Sequence, residues 1–334
     1  MPSLRQALSQ TLMAAFMCMA WSAHAAVTLV FAGDTVLDDT VGELIAQGGD
    51  PFSATAHFWA DADIRIVNLE CVIATKGEPS EKVYNFRAHP RVIPVLKRHF
   101  NAVALANNHS GDYGHEAFTE MLQLLQKSDL PFVGGGLNMQ QAHEPLIFER
   151  KGLRIAILSY NEYHPRSFEA GANWPGIAWS EDEYVIRDIR RARRVHAADL
   201  VIPIMHWGWE NELQSNDRQK HLARLMIDAG ADAVIGGHPH VTQEVSLYQG
   251  KPIVYSVGNF VMKETDNDRQ RQGWVLQLEL DKKGVQKLKT MSVQLDMEGI
   301  PTPSNLPNLP CWERSQAKVR ACMESSDQPL PLPR

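Results

Sequence analysis

Metal-capable side chains recur in this sequence where apolar runs end. Gly33-Asp34 closes one run, Asn68-Leu69-Glu70 a second and ANNHSGDYG (Ala106–Gly114) a third. HWGWE (His206–Glu210) and GGHPH (Gly236–His240) close two more. Asp, Glu, Asn and several His supply mixed nitrogen and oxygen ligands. Such a set suits a divalent transition metal, zinc, manganese or iron, better than calcium or magnesium, whose sites are built from oxygen. Taken singly, each residue has an ordinary structural use. Asp after Gly turns the chain, Asn107-Asn108 can form an Asx turn, and a lone strand-end His commonly just satisfies its hydrogen bonds. Their repetition at several strand ends points to one shared site, because ligands of open α/β sheets bind beyond the carboxyl ends of the strands. Two other chemistries lack their residues. Too few cysteines remain in the mature chain for a four-cysteine zinc site. No G-x-S-x-G turn carries a nucleophilic serine, and Ser256 in YSVGNF reads as a turn residue.

The elements that must position these residues alternate between strand and helix. VTLVFAG (Val27–Gly33), IRIVNL (Ile64–Leu69), NAVALA (Asn101–Ala106), RIAILSY (Arg154–Tyr160), LVIPIMHW (Leu200–Trp207), ADAVIGG and KPIVYSVGNF (Lys251–Phe260) read as strands. His115–Leu130 carries Phe118, Met121, Leu122 and Leu125 on one helical face, and Asp217–Gly230 reads as a helix capped by Gly230. The segment from Gly273 to Asp296 alternates like a hairpin around Lys282-Lys283-Gly284. This order predicts an α/β (α+β) fold built on a large central sheet system, as a single domain over residues 26–296.

Both ends differ from that body. Arg5, the apolar run Thr11–Trp21 and Ala23-His24-Ala25 predict a secretory leader over residues 1–25. The run is short of the ~20 residues that span a bilayer, so no stable transmembrane anchor is expected, and Met17 before Cys18 argues against a lipid anchor. The mature chain is then exported, periplasmic or extracellular. Loss of Arg5 takes the formal charge from −6 to −7, spread along the chain without a basic stripe, so nucleic acid is a poor partner. Residues 297–334 form a Pro-rich tail, with the last segment disordered and WERSQAKVRACM making one or two helical turns. In an oxidising compartment Cys311 and Cys322 pair as a disulfide, and Cys71 is a buried small hydrophobe.

The combination of FAGDTVL, VNLECVI, NAVALANNHSGDYG, PIMHWGWE, AGADAVIGGHPHVTQ and IVYSVGNFV, spanning roughly Val27 to Phe260, resembles the CapA family of capsule and poly-γ-glutamate synthesis proteins, within the calcineurin-like metallophosphoesterase superfamily. The resemblance implies a metallophosphatase-like four-layer αββα sandwich. It implies Asp34, Glu70, Asn108, His206, His238 and His240 as ligands of one or two ions, with Glu70 bridging, and His109 as the catalytic histidine. The superfamily's second ligand in the first motif, a histidine two residues after the aspartate, is Val36 here, and the bridging aspartate is Glu70. CapA-type sequences share this departure, and Asp38 and Asp39 are the acids nearest to it in sequence, where they also fit as helix caps.

Around these ligands, Asp112 and Glu116 are candidates to orient His109, with a turn aspartate the better reading of Asp112. Glu210, Asn68, Asn259 and Arg87 are candidate substrate contacts, Glu210 also as a holder of a histidine N–H and Arg87 also as a surface ion pair. Trp174, Trp179, Trp207 and Trp209 line a polymer cleft or pack in the core. Three functions follow. One is a metal-dependent hydrolase or transferase on an anionic γ-glutamyl amide polymer of the envelope. Another is a metallophosphoesterase acting on phosphate esters, with a small anionic substrate. The third is a non-catalytic assembly or export factor in a membrane-bound synthesis complex.

Overall fold

Alternate residues of the first strand face two different apolar clusters. In the computed structural model, which describes residues 26–164, 166, 168–265 and 267–322, β1 (Val27–Thr35) sends Leu29 and Phe31 into one cluster and Val30 and Ala32 into another. Burial on both faces is the mark of a central strand. The expected leader over 1–25, with Cys18, and the expected disorder at the Pro-rich end lie outside the described residues.

From β1 the chain runs through α1 (Asp39–Ala46), β2 (Ile64–Leu69), α2 (Ile93–His99), β3 (Ala102–Ala104), α3 (Gly114–Lys127) and β4 (Phe132–Val133). A second series follows: β5 (Leu146–Arg150), β6 (Leu153–Asn161), α4 (Asp182–Arg194), β7 (Leu200–His206), α5 (Asp217–Ala229), β8 (Val234–Gly237), β9 (Val245–Tyr248) and β10 (Lys251–Val254). The chain then closes with β11 (Asn259–Val261), β12 (Gln272–Asp281), β13 (Gly284–Leu295), β14 (Pro301–Pro303), β15 (Pro310–Glu313) and β16 (Arg320–Ala321). One sheet has the order β16-β15-β13-β12-β1-β2-β3-β4, with β11 on β1 and β14 on β13; the other has the order β9-β10-β8-β7-β6-β5.

Three clusters set the layers. Leu29, Phe31 and Ile66 of the first sheet meet Ile155, Ile157, Ile202 and Ile204 of the second. Val30 and Ala32 pack outward with Val41, Ile45, Leu96 and Phe118 of α1–α3. Leu158 and Val201 pack outward with Val185 and Ile189 of α4 and Leu222 and Met226 of α5. The result is a four-layer αββα sandwich. Phe31 is fully buried between the sheets, and its truncation to Ala removes about 3–5 kcal/mol of packing.

The strands that matter to the site run parallel, so their carboxyl ends lie together. Asp34 pairs in register with Asn68 and with Asn259, and His206 with Gly237. Among the described residues no helix is long and apolar enough to cross a membrane.

The structure corrects three expectations. Lys251–Phe260 is two strands in one run of sequence: Gly258 takes φ 71° and the chain passes from the second sheet to the first. Residues 297–322 are not a separate tail, because β14 and β15 add to β13 and Trp312 is buried in the inter-sheet core. Among the described residues, WERSQAKVRAC makes no helix; β15 and β16 pair across it, with Cys311 bonded to Cys322 at a Cα separation of 5.0 Å. The apolar ring of Trp312 and the pairing edge of β13 outweigh weak local helix propensity. Cys71 is buried as expected.

Candidate metal centre

Glycine decides how closely the strands approach at this end. A Cβ on Gly33 would lie 2.0 Å from the Gly258 carbonyl oxygen, and one on Gly237 would lie 2.7 Å from Asp34 Oδ1. The missing side chain of Gly237 is the space that the Asp34 carboxylate fills. Immediately after it, His238 and His240 flank Pro239 at φ 95° and 58°. Non-glycine residues held at such angles are strained, and strain of this kind collects at functional sites. The two imidazoles are turned toward the ends of β1, β2 and β7.

All six expected ligands come together there. His206 Nε2 lies 2.6 Å from Asn108 Oδ1, 3.0 Å from His238 Nδ1 and 3.3 Å from Glu70 Oε1. His240 Nδ1 lies 3.5 Å from Asp34 Oδ2, and its Nε2 lies 3.9 Å from Glu70 Oε1. Glu70, His238 and His240 form one compact group of potential ligand atoms, and Asp34, Glu70 and His206 another, so Glu70 belongs to both.

These distances test whether a metal fits. A ring nitrogen holds either one proton or one lone pair, yet Asn108 Oδ1, Glu70 Oε1 and His238 Nδ1 all converge on His206 Nε2, more partners than one N–H or one lone pair can satisfy. Both Glu70 oxygens and His238 Nε2 are buried without a hydrogen-bond partner. Bonds of about 2.1 Å in octahedral or tetrahedral geometry set neighbouring ligand atoms about 3.0–3.4 Å apart. A cation held by Asp34, Glu70 and His206, or by Glu70, His238 and His240, would give the Glu70 oxygens a partner and relieve the crowding. The two groups share Glu70, so they mark two adjoining positions. The residues therefore fit one or two transition-metal ions.

Charge within the cluster is balanced by mutual contact. Burial pushes the Asp34 carboxyl up, and the neighbouring Glu70 charge adds to this. Burial opposes ionisation of Glu70 too, but His206 and His240 outweigh it and hold that carboxyl down at about 2. His238 is pushed well below the usual imidazole range by burial and by the other histidines, so it is neutral at pH 7. His240 goes the other way: burial is outweighed by the Glu70 and Asp34 charges.

A ring of amides fixes the ligands. Asn68 Nδ2 donates to Asp34 Oδ1 at 2.8 Å and lies 3.3 Å from His206 Nδ1. Asn107 Nδ2 donates to Asn68 Oδ1 and to the Leu69 carbonyl. Asn259 Oδ1 meets His240 Nδ1 at 2.8 Å, while its Nδ2 donates to the Gln270 carbonyl. Asn68 and Asn259, expected to touch substrate, are both buried and hydrogen-bonded to Asp34 and His240 respectively. Hydrogen bonds of this kind orient metal ligands and sharpen affinity.

Other expectations part company with the structure. Asp112 is more than a turn residue: it is buried and its Oδ2 lies 2.7 Å from His109 Nδ1. Glu116 is exposed and pairs with Lys76. Arg87 donates to the Lys76 and Gly77 carbonyls and stacks 4.2 Å over the Tyr113 ring; none of its contacts is with a metal-capable cluster residue. Glu210 is exposed at the rim and contacts no histidine by hydrogen bond; its charge is felt at His240 and Tyr163. Val36 is buried in the outer core beside α1 and offers no ligand. Asp38 caps α1 and accepts the Arg87 N–H, and Asp39 pairs with Lys263, so neither replaces it. Trp207 is core, with Nε1 on the Tyr255 carbonyl, and Trp179 is buried. Trp174 is exposed and donates to the Glu169 carbonyl. Trp209 is exposed and packs on Tyr163, whose ring lies 3.9 Å from that of His238. Tyr163 was not singled out in the sequence, where it follows a strand without any motif.

The sequence matches the family described as "Bacterial capsule synthesis protein PGA_cap" over residues 28–264. It is 30% identical over 279 residues to "PGA biosynthesis protein CapA" of Bacillus subtilis, covering 82% of this chain and 72% of that protein. It is 27% identical over 286 residues to "Capsule biosynthesis protein CapA" of Bacillus anthracis, covering 83% and 69%. Among solved structures, the NAD nucleotidase NadN of Haemophilus influenzae aligns with a TM-score of 0.49 and 11% identity, covering 84% of this chain and 60% of that one. The chain belongs to the PGA_cap family of bacterial capsule synthesis proteins.

Proposed function

Taking that membership as the premise, we propose that the mature chain is an exported metal-dependent hydrolase or transferase that acts on γ-glutamyl amide bonds of an anionic envelope polymer, working beside a membrane-bound synthesis complex. The observation that carries the catalytic part is the crowding of Asn108, His238 and Glu70 on His206 Nε2, with Glu70 and His238 Nε2 left unpartnered. A non-catalytic factor has no need of so many mutually unsatisfied ligand groups.

Asp34, Glu70, Asn108, His206, His238 and His240 would hold one or two ions. A bound transition metal supplies Lewis-acid polarisation and lowers the pKa of water. The protein's own groups do the rest. His109 presents Nε2 to the reacting bond because Nδ1 is taken by Asp112, and it protonates the departing amine. Asn68 and Asn259 keep Asp34, His206 and His240 from turning away. Tyr163 and Trp209 bound one side of the approach.

The test is chain shortening of poly-γ-glutamate, measured beside hydrolysis of bis(p-nitrophenyl) phosphate, with wild type, His109→Ala and His240→Ala. Metal-dependent shortening that both substitutions abolish supports the proposal. Turnover of the phosphodiester alone replaces it with a phosphoesterase. Indifference of both substrates to both substitutions overturns catalysis altogether.

A further inference from the structure

The segment between β2 and α2 folds over the turn that carries Asn108 and His109, and one side chain ties the two together. Lys82 Nζ donates to the Asn108 carbonyl at 2.7 Å and also contacts Asp112 Oδ1. The other Asp112 oxygen meets His109 Nδ1 at 2.7 Å and the Phe86 N–H at 2.8 Å. The Asp112 carbonyl accepts the Ser80 N–H at 2.7 Å. Asp112 is fully buried, and both carboxylate oxygens are engaged, so the carboxylate is fixed in rotation. The Phe86 ring packs 4.6 Å from the His109 ring.

We propose that Lys82 is a positioning residue for the reaction: its ammonium locks Asp112 and the Asn108 carbonyl together and so sets the direction in which His109 presents Nε2. This rests on the reading of His109 as the proton donor. The geometry distinguishes Lys82 from an ordinary surface lysine in two ways. Its partners are a buried carboxylate and a main-chain carbonyl of a candidate ligand residue. Its loop is otherwise stitched by its own bonds, Ser80 Oγ to Asn85 Oδ1 and Asn85 Nδ2 to the Ser80 and Lys82 carbonyls. The loop therefore keeps its shape without the ammonium, whereas the Asp112 carboxylate loses the partner of one oxygen and can swing. No atom of Lys82 needs to touch substrate, because the effect passes through Asp112 to the imidazole.

The experiment compares Lys82→Met, Lys82→Arg and wild type as zinc-treated mature chains with ¹⁵N-labelled histidine. The hydrogen-bonded His109 Nδ1–H gives a downfield, exchange-protected resonance, assigned by its loss in His109→Ala. The expected result is that Lys82→Met shifts this resonance and removes its exchange protection while melting temperature and zinc content hold, and that Lys82→Arg keeps it. On poly-γ-glutamate, Lys82→Met then lowers kcat by roughly 10- to 100-fold, part of the ~10²–10⁴ that a positioned proton donor supplies, with KM little changed. An unchanged resonance in Lys82→Met overturns the inference. Loss in both variants with a fall in melting temperature assigns Lys82 to loop packing and also overturns it. If wild type does not shorten the polymer, the functional reading fails, and the resonance still decides the role of Lys82.

Discussion

His206 Nε2 and Asn108 Oδ1 lie 2.6 Å apart although 98 residues separate them in the chain. The contact joins the end of β7 in one sheet to the turn after β3 in the other. Replacing His206 with Ala removes the atom on which three other groups converge. Bound transition metal should fall from near-stoichiometric to a trace, and the metal-free protein should also lose some stability near neutral pH because Glu70 loses its His206 partner. Elemental analysis of the two purified proteins beside their melting curves checks this.

Asn259 holds His240 Nδ1 and lies at the start of β11. Asn259→Ala leaves every proposed ligand in place but frees one imidazole to rotate. Metal affinity should weaken by about 10- to 100-fold, the usual effect of removing a group that orients a ligand. Competition titration with a chromophoric chelator measures it. An affinity equal to wild type would return Asn259 to the substrate-contacting role first expected of it.

Gly237→Ala tests the close approach at Asp34. The new Cβ, 2.7 Å from Asp34 Oδ1, must displace the carboxylate or β8. Metal binding should drop at least as far as in Asn259→Ala, whereas Gly250→Ala, where nothing lies within 4 Å of the added Cβ, should keep full metal content and pay only for its φ of +72° in stability.

Acid behaviour of the metal-free protein follows from Glu70. Its folded pKa is depressed, from 4.5 to about 2, so it contributes stability that is present above 4.5 and lost as pH falls toward 2. The shift corresponds to about 3 kcal/mol. Glu70→Gln should therefore be less stable than wild type at pH 6 and show a flatter loss of stability between pH 4.5 and 2, measured by urea unfolding. Parallel curves for the two proteins would show that Glu70 is not charged within the cluster.

The bond between Cys311 and Cys322 spans a sequence separation of 11 and pins β16 to β15. Its removal by Cys311→Ser with Cys322→Ser should cost about 2–3 kcal/mol and leave metal content unchanged, since the closing strands lie on the far side of β12 and β13 from β1. Paired chemical denaturation and elemental analysis check both halves of that statement.

Much of this was readable in the residues, for identifiable reasons. The ends of β2 are those of its apolar run, because buried strands declare themselves by β-branched and aliphatic density. Gly230 caps α5 as expected, at φ 120°, because a left-handed cap has few alternatives to glycine. The strand-end grouping pointed to one polar rim, the family resemblance singled out Asp34, Glu70, Asn108, His206, His238 and His240 there, and the structure brings their side chains together. What the sequence hid was partnership. Asp112 resembles any turn aspartate until His109, three residues before it, and Lys82, thirty before, close around it. Asn68 and Asn259 look solvent-facing as amides but are buried, since each partner is set by register between strands distant in sequence. Arg87 looked like an anion clamp because its charge was visible, whereas the carbonyls and the Tyr113 ring that absorb it were not. The tail misled through composition: proline at a sheet edge is compatible with pairing, and Trp312 supplied the burial.

The measurement closest to the central claim is the metal content of the purified protein after exposure to zinc, manganese and iron in turn. The arrangement around Glu70 predicts one to two tightly held equivalents of at least one of these ions, lost together in His206→Ala and Asn108→Ala. A wild-type chain that holds none of the three, or holds the same amount after both substitutions, would contradict the assignment of this cluster as a metal centre.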